Sequence, residues 1–80
     1  MIITIKSFGI AAEICGSRTL KMEVPNDCSV EHLKELLANK YPALSELLSY
    51  RIAVNHVYEL DAFLLKELDE VAIIPPVSGG

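Results

Sequence analysis

Apolar and polar residues alternate at the start of this 80-residue chain, and a two-residue period predicts a strand. Over residues 1–8, Ile3 and Ile5 share one face, while Ile2, Thr4, Lys6 and Phe8 occupy the other. Gly9 interrupts the run, and IAAEIC (10–15) reads as a short helix or helical turn closed by Gly16. Alternation resumes from Thr19 to Val24. Leu20, Met22 and Val24 point inward, Thr19, Lys21 and Glu23 point to water, and Pro25-Asn26-Asp27 supplies turn chemistry. The period then lengthens to that of a helix. Val30, Leu33, Leu37 and Tyr41 form its apolar stripe, Leu36 widens it, and Glu31, Lys34 and Glu35 lie on the solvent side. Ser29 is suited to cap this helix, since its hydroxyl accepts from a first-turn amide that has no partner inside the helix. Tyr41-Pro42 stops it, because a residue before proline resists the helical region. The predicted helix is 30–40.

In the second half, ALSELLSY (43–50) fits either a helical turn or a loop with anchoring leucines. Arg51–Asn55 predicts a strand with Ile52 and Val54 inward, followed by a tight turn at Asn55-His56 and a short strand, Val57–Glu59. Residues 60–70 read as an irregular connection in which Leu64, Leu65 and Leu68 plug the core. Val71–Ile74 is the last strand, ended by Pro75-Pro76, which removes two amide donors. One long helix burying its stripe on a mixed sheet makes an α+β domain. The first and last strands are apolar on both faces, as expected for the middle of that sheet. The order fits a β-grasp fold, the ubiquitin-like roll, although other small α+β layouts share the pattern. Residues 1–76 form the body in this reading and 77–80 a flexible tail.

Composition narrows the partners. Eighty residues make one domain, and 51% apolar content supports a core without metal or disulfides and leaves apolar residues for a partner surface. Seven basic residues against eleven acidic ones give a net charge of -4, and the basic ones are dispersed. That excludes the concentrated positive footprint of a nucleic-acid binder and a polybasic membrane anchor; a basic partner surface is the expected match. Lys6 inside the first apolar run is wrong for a signal peptide, and no apolar run approaches the roughly 20 residues that span a bilayer. The expected setting is soluble and cytoplasmic. Cys15 and Cys28 have no CxxC spacing and no zinc set, so burial as small apolar residues is expected.

A conventional active site is hard to find. His32 on the helix and His56 at the hairpin tip have no evident orienting partner, so both read as exposed polar residues. Asp61, Glu67, Asp69 and Glu70 lack calcium-loop spacing and read as a solvated stretch. No phosphate-binding glycine motif is present, and no bound cofactor is expected. The ending PPVSGG is different. Pro75 and Pro76 stiffen the exit from the sheet, and the next four residues reach about 13 Å at ~3.3 Å each. Gly79 and Gly80, without side chains, can enter a narrow channel. A carboxylate on such a tether can be activated as an acyl-adenylate and converted by a sulfur nucleophile. Phe8, Ile2 and Ile74 either form an apolar patch on the sheet face opposite the helix or lie under the 43–50 or 60–70 segments.

The stretch Glu70-Val71-Ala72-Ile73-Ile74-Pro75-Pro76-Val77-Ser78-Gly79-Gly80 resembles the MoaD/ThiS group of ubiquitin-like sulfur carriers. The proline pair is closer to molybdopterin synthase small subunits than to thiamine-pathway carriers. Phe8-Gly9 before a short helix, the Ser29-capped helix and Ala53-Val54-Asn55 support the likeness. The resemblance implies that an adenylyltransferase of the ubiquitin-activating type uses ATP to adenylate Gly80, which then becomes a thiocarboxylate. It implies that the tail, through Pro75, Pro76, Val77, Ser78 and Gly79, enters the large synthase subunit of a heterotetramer. There the catalytic side chains reside and cyclic pyranopterin monophosphate receives the sulfur. Carriers for thiamine or a tungsten cofactor, protein modifiers and a non-carrier interaction module share parts of this pattern. One departure stands out: the group often has Gly before the Asp-Glu pair entering the last strand, where this chain has Leu68. A positive φ would strain Leu, so that connection is expected to be built differently.

Overall fold

The computed structural model describes residues 1–47 and 50–75. Five strands form one sheet: β1 (Ile2–Ser7), β2 (Thr19–Glu23), β3 (Arg51–Val54), β4 (Val57–Tyr58) and β5 (Glu70–Ile74). Their spatial order is β2-β1-β5-β3-β4. β1 runs parallel to β5, and the other neighbours are antiparallel, so the sheet is mixed. The two strands with apolar residues on both faces, β1 and β5, are indeed central. The long helix α2 (Val30–Lys40) lies over one face, α1 (Gly9–Cys15) follows β1, and a 3₁₀ turn (Pro42–Glu46) follows α2. This is a β-grasp fold.

The core is where the periodicity put it. Ile3 and Ile5 of β1, Met22 and Val24 from the β2 segment, Ile52 and Val54 of β3, and Val71 and Ile73 of β5 are buried against Val30, Leu33 and Leu37 of α2. Each fully buried aliphatic side chain contributes about 1.5–3 kcal/mol. Ser7 also points inward and is fully buried; its Oγ donates to the Ser17 carbonyl at 2.6 Å, which offsets the cost of burying a hydroxyl. Cys28 is buried, Cys15 is half-buried, and both are free thiols. Burial pushes both upward, with Lys40 partly opposing it at Cys15, so neither is prepared as a thiolate.

The start of α2 shows how the irregular 60–70 segment is held. Ser29 Oγ accepts from His32 N at 3.0 Å, as a capping serine should. Two further first-turn amides are taken up by the loop: Val30 N donates to the Phe63 carbonyl at 2.9 Å and Glu31 N to that of Asp61 at 3.0 Å. Leu65 N returns the exchange to the Cys28 carbonyl at 2.8 Å. This stitching inserts Leu65 fully into the core.

The structure differs from expectation in the 60–70 connection and in the length of β4. Leu64 and Leu68 are not plugs: Leu64 is 50% exposed and Leu68 93% exposed. The hydrogen bonds that seat Leu65 leave its neighbours facing outward. The connection before β5 does use a positive φ, 77° at Leu68, despite the side chain. Asp69 holds it: one carboxylate oxygen accepts from Lys66 N at 2.8 Å and the other from Asn55 Nδ2 at 2.9 Å. Finally, β4 stops at Tyr58, one residue earlier than the alternation suggested. The tight turn itself is as read, with φ of 51° at Asn55 and 71° at His56.

Candidate functional site

On the face of the sheet away from α2, one row of residues crosses four strands in register: Lys6 beside Ala72, Ala72 beside Ala53, and Ala53 beside Tyr58. Two alanines in the middle of that row leave a hollow, because their neighbours are longer. The result is a shallow depression of about 330 Å³, with Phe8 and Ile74 at one end and His56 and Glu70 at the other. Phe8 is half-exposed.

The polar end is ordered by charge. Lys6 Nζ lies 2.8 Å from Glu70 Oε1, and His56 Nε2 lies 3.3 Å from Glu70 Oε2. The hydrogen bond and charge of Lys6, then the charge of His56, hold the Glu70 carboxyl below the usual carboxylate range. A depressed carboxyl stabilises the fold above its ordinary value, and that contribution disappears as pH falls through the depressed one. Replacing Lys6 with Gln is expected to move the Glu70 carboxyl upward, read as a higher midpoint in its NMR titration; an unmoved midpoint would contradict the pairing.

β5 leaves the sheet at this apolar end. Ser7 pairs with Ile73 in the last parallel step, so Phe8-Gly9 runs beside Ile74-Pro75. Gly9 has a φ of 55°, and a Cβ built on it would sit 3.6 Å from Pro75 Cγ. Gly9 therefore lets the chain turn into α1 directly alongside the exit strand.

Of the residues singled out in the sequence, Phe8, Ile74 and Pro75 come together here. Ile2 is exposed too but lines a neighbouring depression with Leu68 and Lys21. Pro76, Val77, Ser78, Gly79 and Gly80, and with them the boundary between body and tail, lie outside the described residues. Ala53, Ala72 and Tyr58 carried no site role in the sequence. The signal was present in the alternation of β3 and β5, which puts both alanines opposite the core face, but only the register brings them side by side. Among the described residues, no group of three His, Cys, Asp or Glu side chains is placed to hold a metal, and no helix is long and apolar enough to cross a membrane.

A β-grasp body whose central strand runs out beside an open sheet face defines a ubiquitin-like protein. The chain belongs to the ThiS family, whose model matches residues 5–80. It is 38% identical over 76 residues to a molybdopterin synthase sulfur carrier subunit of Caenorhabditis briggsae, covering 91% of this chain and 90% of that one. It is 34% identical over 87 residues to small archaeal modifier protein 1 of Haloferax volcanii, covering 94% and 97%. The crystal structure of that modifier superimposes with a TM-score of 0.84 at 29% identity, covering 100% of both chains. A chain in the complex of subunits 1 and 2 of the molybdopterin-converting factor from Helicobacter pylori superimposes over 100% of both chains with a TM-score of 0.70; at 24% identity that likeness is one of fold.

Proposed function

We propose that this chain is the sulfur carrier subunit of a molybdopterin synthase. The observation that carries the reading is its 38% identity to such a carrier over nine-tenths of both chains. The ending Pro75-Pro76-Val77-Ser78-Gly79-Gly80 supports it. In this mechanism an adenylyltransferase uses ATP to convert the Gly80 carboxylate to an acyl-adenylate with release of pyrophosphate, and a sulfide-level sulfur nucleophile displaces AMP from the acyl carbon to leave a thiocarboxylate. The body then docks on the large synthase subunit, the tail enters its active site, and the sulfur passes to cyclic pyranopterin monophosphate. The carrier contributes reach and a reactive end, and its partners contribute the catalytic side chains.

Intact-mass measurement of the chain co-expressed with its activating enzyme tests the chemistry. The expected result is a gain equal to the replacement of one oxygen by sulfur, localised to Gly80; an unchanged mass would refute it. The likeness to small archaeal modifier protein 1 favours a second reading, in which activated Gly80 is transferred to lysine amines of other proteins. Lysine-linked conjugates that fail to form with the Gly80-deleted chain would identify that activity.

Docking has its own prediction. Phe8, exposed at the tail end of the hollow, is the aromatic anchor for the large subunit. A central aromatic anchor is worth about 2 kcal/mol or more, roughly thirtyfold in affinity. Phe8→Asp is expected to weaken binding to the large subunit by that order in titration calorimetry. Equal affinity would remove Phe8 from the interface.

A further inference from the structure

Three basic side chains lie in or beside the hollow, and two of them are engaged. Lys6 and His56 both face Glu70. Arg51 is exposed and forms no ion pair among the described residues. Its guanidinium instead lies over the ring of Tyr58, 3.8 Å from the centroid. The backbone fixes this arrangement: Tyr58 is paired with Ala53, so Arg51, two residues earlier on the same face, meets it diagonally across the strands. Arg51 is also the direct partner of Ile74, the last residue of β5 before Pro75.

We propose that Arg51 is a specificity-determining docking residue that receives a carboxylate of the large subunit beside the apolar seat formed by Phe8, Ile74 and the two alanines. The proposal rests on the carrier reading above. Three observations lead to it. A protein that takes the tail must pass over the end of β5, and Arg51 flanks that end. The stack on Tyr58 holds a planar, five-donor fork in place before binding, so less side-chain freedom is lost when a carboxylate accepts from it. The charge also has a sign opposite to the rest of the molecule. The chain carries a net charge of -4, yet Lys6 and Glu70 cancel and leave Arg51 as a positive centre on this face. The overall acidic balance had suggested a basic partner surface; the local charge beside the hollow calls for an acidic group instead.

Titration of the full chain with the purified large subunit, at about one-third and at about twice physiological ionic strength, tests this. At low salt Arg51→Gln is expected to weaken binding about three- to fivefold and Arg51→Glu at least about tenfold. Arg51→Lys should restore only part, since an ammonium lacks the planar fork. Raising the salt should shrink the gap between parent and Arg51→Gln, a response that a purely structural role would not produce. Thermal melts establish that each variant is folded, and Arg51→Gln with Tyr58 intact provides the milder replacement should the charge reversal unfold the chain. Parent-like affinity of folded Arg51→Glu and Arg51→Gln at low salt would overturn the role of Arg51 while leaving the carrier reading standing. A parent chain that gains sulfur on Gly80 but does not bind the large subunit would overturn both the docking role and the synthase reading.

Discussion

Deleting Gly80 is expected to abolish sulfur delivery while leaving the melting temperature of the domain unchanged. The proposed reaction takes place at the terminal acyl carbon, and removing one residue draws that carbon back by about 3.3 Å along the tether. A displacement of about 1 Å in a reacting group already costs on the order of a hundredfold, so a shift three times larger takes the carboxylate out of reach of both the activating enzyme and the large subunit. The core is untouched, because its last members, Val71 and Ile73, precede the tail. Converting the Gly80 carboxylate to an amide makes the same point without shortening the chain: no acyl-adenylate forms, and the mass gain is lost. The measurement is sulfur transfer under single-turnover conditions with reconstituted partners. Transfer at the parent's rate from the deleted chain would end the carrier proposal.

Much of this fold was legible because burial on one face imposes a period. Ile3 and Ile5, Ile52 and Val54, and Val71 and Ile73 could be assigned to the core from alternation alone, and Val30, Leu33 and Leu37 from helical spacing. The ends of α2 followed from local chemistry at Ser29 and at Tyr41-Pro42. Two features were hidden for a physical reason. The hollow depends on Ala53 meeting Ala72, and that contact is set by strand register between segments far apart in sequence. The burial of Leu65 depends on hydrogen bonds exchanged with the start of α2, which no periodicity encodes. Of the candidate site, Phe8 and Ile74 were legible from the alternation of β1 and β5, while the Gly-Gly terminus stood out by its composition and lies outside the described residues. The site was not legible at Arg51, whose meaning comes from the ring it rests on and the strand end it borders.

The leucines of the 60–70 segment give the second large effect, because residues of identical hydropathy occupy opposite environments. Leu65 is fully buried, so Leu65→Ala removes its transfer energy and leaves a cavity, at a cost of about 2–5 kcal/mol. A domain of this size has a total stability of only about 5–10 kcal/mol, so such a loss takes a large share of it. Leu68 presents 93% of its surface to water while its backbone sits at a φ of 77°. Truncating it to Ala forfeits almost no burial and keeps the unfavourable backbone, so stability should move by no more than about 0.5 kcal/mol. Leu68→Gly removes the Cβ that disfavours this φ and is expected to stabilise the folded state by up to about 1 kcal/mol, the relief of a left-handed residue exceeding the entropy cost of glycine. Urea unfolding of the three variants measures all of this on one scale. The opposite signs expected at Leu65 and Leu68 are the test: a stabilised Leu65→Ala, or a Leu68→Gly less stable than the parent by 1 kcal/mol or more, would show that the segment is anchored through a different leucine.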